Sequence, residues 1–527
     1  MSDSYRLPAT VVSSGKKSRS VKEIICQGEK ISPSWAYLLG EYEWRSLGEV
    51  LEEERYLFSG LWCDGERILA LFRWRSGEVL MAVHVPEGPR YPALSTTVPA
   101  ALPFERVIRD LYGFEAMGAE DMRPLINRGA WPVSWPLALR PGLAGCEEDD
   151  FEVRLSSDDD REFLLISGPA SGVSEASALF RQSVSDLKVS GSETIRGFTH
   201  RGIAARMMGA SLEEAVVLAG RIAASSVVAH QWTFCAAVEQ ISGFQISESA
   251  LLVRAVFAEI ERILSHFRIL ARVARYADAG LPAQRMSEAR EAVLQVLSEC
   301  MGRRSLMDMV VLGGVNIPLP DLEDDADRIG IIHDLAKNIA ELVDESLFVL
   351  RPLWQSYPGL LVRLRGLGPV CSEDVMMGGV TGPVARASGL GRDLRSQASP
   401  WVNAGMQVQS QREGDVVARC RQLFAECQES ARLLNLFAER LTHVSADVPL
   451  RHIFHPENGW GHAVTEGPSG VVEVVLHLKE GRPASVMMRD PSMELIPLAD
   501  RALKGVMPED IAAVRNSFGF SISAADM

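Results

Sequence analysis

Residues 379–395 read G-V-T-G-P-V-A-R-A-S-G-L-G-R-D-L-R, the most distinctive stretch of the chain. Glycine and proline punctuate it, and charged residues stand among small apolar ones. It occurs in a fixed order with shorter strings, and that order indicates the fold. The shorter strings are H-R-G-I (200–203), R-I (221–222), A-V-E (237–239), A-E-I-E-R-I-L-S-H (258–266), L-G-G-V (312–315), E-G-P-S-G (466–470) and R-D-P-S (489–492).

Composition describes a globular protein of several domains. The 527 residues are too many for one core, and 47% of them are apolar. The formal net charge of −15 argues against a general nucleic-acid binder, which would show a basic face, and permits docking on a basic partner. There is no run of 18 apolar residues and no signal-peptide core, so we expect a cytosolic protein that can sit on a membrane-bound partner.

The eight cysteines are scattered among apolar segments, and none forms a C-x-x-C pair. In a cytosolic chain such residues are buried, reduced thiols. We therefore expect neither an iron–sulfur cluster nor a zinc ion to be held by this chain alone.

Changes in pattern divide the chain into four parts. Residues 1–32 are polar and predict a mobile arm. Residues 33–141 alternate short apolar runs with turns, including a hairpin turn at Asp64–Gly65, and predict a small α+β domain. Residues 142–162 are an acidic linker, and residues 163–527 a large, mostly helical bundle.

The bundle carries clear helix signals. S-L-E-E-A, from Ser211, has the spacing of a capping box. Residues 253–270 have apolar side chains at helical spacing, which places Glu259, Arg262 and His266 on or near one stripe.

Segments with strand-like sequence lie at both ends of the bundle. Residues 163–172, F-L-L-I-S-G-P-A-S-G, predict a strand followed by a turn, and the sequence from Val471 again predicts strands. Two more long helical patterns lie near 325–355 and 411–443. The predicted class is α+β: a small α+β domain, then a helical bundle with β elements from both its ends.

In this order the strings resemble the large-subunit superfamily shared by the 49-kDa subunit of respiratory complex I and the nickel–iron hydrogenases. The likeness is closest to large subunits of the formate-hydrogenlyase and hydrogenase-4 type. F-E-R-V-I-R-D-L-Y-G-F-E-A-M-G-A-E-D-M-R-P-L, at residues 104–125, resembles the 30-kDa subunit of complex I. Fusion of the two subunits in one chain is typical of the hydrogenlyase type.

The resemblance implies where a nickel–iron centre would lie, and the ligands are missing there. In the hydrogenases two cysteine pairs hold the metals, one after R-I and one at the C-terminus. Alignment puts Ala223 and Ser226 at the first pair and Ser521 and Ala524 at the second. Serine and alanine cannot replace soft thiolates, so the resemblance implies no nickel–iron centre and no metal site.

The resemblance also implies that a complex I-type quinone site is altered. Ala224 stands where that family has a quinone-binding tyrosine, and the G-P-A-S-G loop from Gly168 lacks the family's histidine. Three more residues of the family, an acidic residue, a histidine and an arginine, are also replaced in this chain. The aligned positions are Ala204, Leu306 or Met307, and Val311.

Surviving polar residues are candidates for the cleft or for an interface. His200 and Arg201 either line the cleft or cap a helix start. Glu259, Arg262 and His266 form either an ion pair that holds the bundle or part of a proton or coupling route. The remaining candidates are Arg221, Arg386, Ser388, Asp393 and Arg395. The resemblance implies that the last four lie in a region that supports the cavity and contacts a partner subunit.

The loop R-H-I-F-H-P-E-N-G-W-G-H, residues 451–462, is outside the resemblance. Histidine is a common ligand of divalent metals, and the loop contains His452, His455 and His462. Their spacing is typical of a loop and differs from the helical pair of a zinc hydrolase.

Two functions remain open. The first is a structural and coupling subunit between an iron–sulfur small subunit and membrane-embedded, proton-pump-type subunits, at the inner face of the cell membrane. The second is reduction of quinone or another small carrier in a remodelled cleft. The resemblance implies an iron–sulfur cluster in the partner, a possible quinone, and no cofactor held by this chain.

Overall fold

A computed structural model describes residues 19–143, 162–172, 174–319, 324–444 and 449–527. Its helices are α1 (Val21–Ile25), α2 (Glu41–Glu54), α3 (Leu102–Tyr112), α4 (Ile203–Met207), α5 (Leu212–Ala219), α6 (Val227–Ile241), α7 (Glu248–Tyr276), α8 (Gly280–Met301), α9 (Asp325–Ser356), α10 (Leu360–Leu364), α11 (Ser372–Met377), α12 (Gly382–Ala387), α13 (Ser399–Asn403), α14 (Val416–Leu441), α15 (Ser492–Ala502), α16 (Ile511–Ser517) and α17 (Ile522–Asp526). Its strands are β1 (Glu29–Ile31), β2 (Ala36–Leu39), β3 (Phe58–Cys63), β4 (Ile68–Arg73), β5 (Val79–His84), β6 (Arg90–Pro92), β7 (Glu115–Met117), β8 (Val133–Ser134), β9 (Gly142–Leu143), β10 (Glu162–Ser167), β11 (Leu179–Ser185), β12 (Lys188–Ile195), β13 (Val310–Val311), β14 (Gly314–Val315), β15 (Gly459–Glu466), β16 (Val471–Lys479) and β17 (Arg482–Arg489).

The N-terminal part is a five-stranded sheet in the order β1-β2-β5-β4-β3, accompanied by α2 and α3. Only the β2–β5 pair is parallel, because the intervening chain crosses over to the far edge of the sheet and returns. The predicted turn at Asp64–Gly65 is confirmed, since it joins β3 to β4 and Gly65 has a φ of +104°. This is the small α+β unit that the sequence predicts.

The segment before this unit differs from the predicted arm. Ser20 and Glu23 form a capping box that starts α1, and Val21, Ile24 and Ile25 are buried. Those apolar side chains recur at helical spacing, and burying them fixes residues that polar composition alone assigned to an arm. Residues 1–18 and most of the acidic linker, 144–161, lie outside the described residues.

The large unit is built around α7, whose side chains are mostly buried. Helices α6, α8, α9, α14 and α16 pack against it. The helices predicted over 253–270, 325–355 and 411–443 are confirmed as α7, α9 and α14, and the capping box at Ser211 is present at the start of α5. None of the described helices combines the length and apolar character needed to cross a membrane.

Strands flank the bundle on both sides in sequence, which confirms the predicted α+β class. Strands β10–β12 form an antiparallel sheet before the helices, and β15–β17 form another after them. Side chains of β16 and β17, Val475 and Met487, pack with Leu69 and Met81 of the first sheet. The N-terminal unit therefore rests on the C-terminal sheet of the large unit.

Candidate functional site

The two segments that align with the metal-binding pairs meet at one cavity. The loop from Gly220 to Ser225 forms one wall, and Ser521 and Ser523 of the C-terminal segment form part of another. The cavity has a volume of about 620 Å³, within the range of small-molecule sites. Helices α7 and α8 line it further, together with Glu175, Arg201, Val227 and residues 304–307 after the end of α8.

Arg201 ties the two segments together. Its guanidinium donates to the carbonyl oxygens of Arg221 and Ile222, at 2.5 and 2.8 Å, and to that of Ser523 at 2.8 Å. Its backbone N–H donates to the carbonyl of Met527 at 3.0 Å. Because the fork of an arginine can bind several acceptors at once, this residue holds the loop at 221–222 against the C-terminal segment.

His200 and Asp526 hold the end of the chain against the same region. Nδ1 of His200 lies 2.5 Å from the carbonyl oxygen of Asp526, and the Asp526 carboxylate accepts from the N–H of Gly197 and the hydroxyl of Thr199. His200 is not among the residues that line the cavity. The structure therefore places Arg201 at the cavity and His200 behind it.

The four aligned ligand positions hold no thiolate. Ala223 and Ala524 are packed in the apolar core, and Ser521 lines the cavity with its hydroxyl 3.0 Å from that of Ser523. The carbonyl of Ser226 lies 2.7 Å from Nδ1 of His230. Methyl and hydroxyl groups are not soft ligands, so the donor set does not fit a nickel–iron centre.

The described residues contain no group of three or more histidines, cysteines, aspartates or glutamates that could hold a metal ion. Four of the seven described cysteines are buried, as predicted, whereas Cys26 and Cys371 are exposed and Cys300 is half-buried. Burial raises the pKa of the Cys63 and Cys420 thiols to about 12, which keeps them protonated at neutral pH.

Positions aligned with the quinone site reach the same cavity. Ala224, Leu306 and Met307 line it, so apolar groups stand where the resemblance implies a tyrosine and a histidine. The carbonyl of Val311 accepts a hydrogen bond from Arg254, at 2.8 Å. Ala204 lies on α4 and is not part of the lining.

Glu261 is a buried carboxyl in the wall of the cavity. Its oxygens accept from the N–H groups of Val228 and Ala229, at 2.8 and 3.2 Å, at the start of α6. Burial raises the pKa of Glu261 to about 7, and the two backbone N–H groups only partly oppose this. This carboxyl therefore changes charge near neutral pH.

Six arginines line the cavity, and four of them were not predicted from the sequence. Arg221, which was, pairs with Asp308 at 2.8 Å. Arg304 pairs at 2.6 Å with Glu291, which lies just outside the lining. The other arginines of the lining are Arg201, Arg268, Arg272 and Arg290.

A second group of charged side chains lies on the other face of α7. We call it the buried charge cluster. Its members are almost free of solvent contact: Glu259, Arg262, His266, Arg386, Asp393, Arg395, Glu426 and Glu466. Six of the eight were candidates from the sequence, and the structure brings them together.

Arg395 and Arg386 are the centres of this cluster. Arg395 binds both oxygens of Glu259 at 2.9 Å and chelates Asp393 at 2.7 and 3.0 Å. Arg386 donates to Glu426 and Glu466, each at 2.8 Å. Such bidentate, charge-assisted bonds offset the cost of removing the charges from water.

Arg262 and His266 complete the cluster from α7. Arg262 donates to the carbonyl of Glu466, at 2.8 Å, and Nε2 of His266 lies 2.9 Å from Glu426. Burial alone would raise the pKa of Glu259, but Arg395 and Arg262 lower it. Burial and the nearby Asp393 raise the pKa of Glu466, whereas burial lowers that of His266.

The cluster has four carboxylates and three arginines, so one proton would neutralise it. The direction of the pKa shifts makes Glu466 the carboxyl that takes up that proton most readily. Ser388 is buried next to the cluster, but its hydroxyl only donates to the carbonyl of Val384, at 3.0 Å. It serves as a local helix contact.

Glu426 and Glu466 were not predicted as site residues. Glu426 stands on the buried face of α14, four residues after Gln422 and four before Ser430. These polar residues recur at helical spacing within an apolar stripe, and that pattern could have indicated a buried polar site on α14. Glu466 is the first residue of the E-G-P-S-G string. That string was used only for its place in the sequence order, which does not predict a function for the Glu466 side chain.

The histidine loop divides between two places. His452 and His455 line an open cavity of about 390 Å³ near the start of α5. His462 lies on β15, where its Nε2 is 2.7 Å from Glu473. The three histidines do not form a common site.

Comparison with known proteins agrees with this architecture. Residues 281–458 match the family described as "Respiratory-chain NADH dehydrogenase, 49 Kd subunit". The chain is 26% identical over 368 residues to formate hydrogenlyase subunit 5 of Escherichia coli (strain K12), covering 67% of this chain but only 62% of that protein. It is 23% identical over 471 residues to the C/D fusion protein of the NADH-quinone oxidoreductase of Bacteroides fragilis, covering 84% of this chain and 86% of that one.

Two further likenesses point the same way. The carbon monoxide-induced hydrogenase of Rhodospirillum rubrum is 28% identical over 366 residues, covering 68% of this chain and 98% of its own. A chain of the membrane-bound sulfane sulfur reductase, an archaeal respiratory membrane complex, shares the fold with a TM-score of 0.62 at 19% identity, covering 70% of this chain and all of that one. The chain thus carries a domain of the complex I 49-kDa type, and its relatives are consistent with a subunit in which the 30-kDa and 49-kDa types are fused.

Proposed function

We propose that the chain is the large subunit of the peripheral arm of a membrane-associated, complex I-like or hydrogenase-related oxidoreductase complex. It holds neighbouring subunits and couples their movements, and it carries no nickel–iron centre. Its partners are an iron–sulfur small subunit and membrane-embedded subunits of proton-pump type, at the cytoplasmic face of the membrane.

One observation carries this proposal. The loop at 220–226 and the C-terminal segment at 521–524 meet, yet the aligned ligand positions are Ala223, Ser226, Ser521 and Ala524. The architecture is kept while the groups that would bind metal are absent. A retained shape without reactive side chains fits a structural role better than hydrogen activation.

Helix α7 gives the coupling role a physical route. Glu259, Arg262 and His266 lie in the buried charge cluster, and Glu261 and Arg268 of the same helix line the cavity. A shift of α7 would therefore change both sites together, since packed interiors transmit displacement.

Purification of the tagged full chain from its native cells tests the partner assignment. We expect it to bring an iron–sulfur subunit and integral membrane subunits in fixed proportion. Elution of this chain alone under mild detergent conditions would contradict the assignment.

The alternative function is reduction of quinone or another small carrier in the cavity, and the 620 Å³ volume favours it. Ala224→Trp would fill the cavity from an exposed position, and Val217→Trp, exposed on α5, is the matched control. The readout is oxidation of the partner's pre-reduced clusters on addition of a soluble quinone, followed by electron paramagnetic resonance.

The two functions predict opposite results. If the subunit is structural, Ala224→Trp leaves assembly and cluster oxidation as they are in the Val217→Trp control. If the cavity is the site of reduction, Ala224→Trp abolishes oxidation while the complex stays assembled. The second result would replace the structural proposal.

A further inference from the structure

The cavity between the two degenerate segments has an unusual charge. Its lining contains six arginines and two carboxyls, Glu175 and Glu261. Asp308 and Glu291 pair with two of the arginines from outside. Even with Glu261 ionised, the six arginines exceed these four carboxyls by two charges, in a chain whose net charge is −15.

Two of these arginines have buried donors without partners. Nη2 of Arg268 and Nε of Arg290 are shielded from solvent, and neither forms a hydrogen bond with any residue in the described part of the chain. Burial lowers the pKa of Arg268 to about 10, which shows how poorly its charge is compensated. Buried donors are nearly always satisfied in folded proteins, so each of these calls for an acceptor.

Apolar side chains also line the cavity. Ile222, Val227, Leu264, Leu294 and Leu306 line the cavity beside the arginines. A small inorganic anion would leave most of the 620 Å³ unfilled. The combination fits a ligand with a charged head and an apolar body.

We propose that this cavity binds an organic anion, with a carboxylate or phosphate head held by Arg268 and Arg290 and an apolar body in contact with the apolar side chains of the lining. Guanidinium groups suit either head because their donors match the planar or tetrahedral oxygens in pairs. The proposal goes beyond the function proposed above, because it assigns a ligand class to the cavity whether or not electrons reach it.

Calorimetric titration of the full chain and of the assembled complex tests the proposal. The probes are 1-naphthyl phosphate, 1-naphthoate and the neutral 1-naphthol. Arg268→Gln and Arg290→Gln remove the charges, and Arg275→Gln on α7 and Arg285→Gln on α8 are exposed controls on the same helices.

We expect both anions to bind and the neutral alcohol to bind at least about 10-fold more weakly. Each cavity variant should weaken anion binding by about 10- to 100-fold, and the controls should leave it within about 3-fold. Arg290→Lys keeps the charge and should retain most of the affinity, which separates loss of charge from loss of folding.

Three results would overturn the proposal. In the first, naphthol binds as tightly as the anions, and in the second the exposed controls weaken binding as much as the cavity variants. In the third, assembly excludes the probes and Arg268→Gln releases a partner subunit, which would make the arginines a docking site for an acidic segment.

The natural ligand can be sought in the same preparation. Extraction of the wild-type complex followed by mass spectrometry should give an organic anion at close to one per chain that is lost in Arg268→Gln. Recovery in the organic phase identifies a lipid phosphate, and recovery in the aqueous phase identifies a free metabolite. Nickel content, measured separately, tests the proposed function and leaves this inference untouched.

Discussion

The Arg386 side chain has almost no contact with solvent and is held by three carboxylates. It lies 2.8 Å from Glu426 and Glu466 and 3.1 Å from Asp393. Arg386→Gln would leave Glu426 and Glu466 buried without their main counter-charge, while Asp393 would keep Arg395. We expect it to lower the free energy of unfolding by about 3–5 kcal/mol, measured by urea denaturation of the full chain.

The matched control is Arg285→Gln, which breaks an exposed pair with Glu288 at 2.8 Å. Exposed pairs of this kind contribute about 0–1 kcal/mol. Equal shifts of the urea midpoint in the two variants would mean that the buried charge cluster does not stabilise the bundle.

Glu261 predicts a pH dependence of stability. Its pKa is raised to about 7 in the folded chain, above the value of about 4.3 for an unfolded glutamate. Between these values the folded state binds more protons than the unfolded state. The contribution of Glu261 is therefore complete below about pH 4.3 and is lost as the pH rises through about 7.

The measurement compares the wild type with Glu261→Gln from pH 4 to pH 8. The wild type should lose stability relative to the variant as the pH rises, because only the wild type acquires a buried charge. A difference that stays constant over this range would show that folding does not change the pKa of Glu261, and would contradict the prediction.

At the scale of elements, the L-G-G-V string shows why a glycine is needed at position 313. Gly313 has a φ of +74°, and a Cβ there would overlap the carbonyl oxygen of His452. Its N–H donates to Glu239 of the A-V-E string, at 3.1 Å, and Glu239 pairs with Arg254 at 2.7 Å. The strings thus form one contact between α6, α7 and the β13–β14 turn.

Gly313→Ala should destabilise the chain by at least about 1–2 kcal/mol, from the left-handed backbone and the overlap together. Gly330→Ala is the opposite case, because Gly330 is exposed inside α9 with open space around it. It should stabilise by about 0.5–1 kcal/mol. Thermal melting of both variants checks the pair, and two changes of the same sign would contradict it.

Local patterns predicted elements well and partners poorly. The stripe of Glu259, Arg262 and His266 follows from helical period alone, and α7 has it as expected. Their partners Glu426 and Glu466 lie 160 or more residues away, and no periodic pattern specifies which helices meet. The predicted arm was assigned from polar composition, which outweighed three apolar residues at helical spacing.

At the scale of the whole molecule, the two units share an interface. The hydroxyl of Ser59, on β3, donates to Glu473, on β16, at 2.5 Å. Burial would raise the pKa of Glu473, but a hydrogen bond and the charge of His462 lower it to about 2, so the carboxylate stays ionised. Leu69 of the first sheet and Val475 of β16 belong to one apolar cluster across the same interface.

This interface should hold after the chain is cut. A specific protease site placed between residues 150 and 156, outside the described residues, would divide the chain without touching the contact. The two fragments should co-elute in gel filtration, and Val475→Asp should let them separate because it puts a charge into a fully buried position. Separation of the wild-type fragments would contradict the shared interface.

The location of the cavity was predictable, but its character was not. The resemblance predicts that the segments around Arg221 and Ser521 meet, because both align with one metal centre. The arginines at 268, 272, 290 and 304 gave no signal. Arg268 and Arg272 lie on α7, Arg290 lies on α8 and Arg304 follows the end of α8, and only the packing of α7 against α8 brings them to one cavity.

Metal analysis of the purified whole complex tests the central claim most directly. Nickel should be far below one atom per chain, and the iron should match the clusters of the partner subunit. Nickel at one atom per chain, retained through purification and lost on joint substitution of Ser226 and Ser521, would contradict the account.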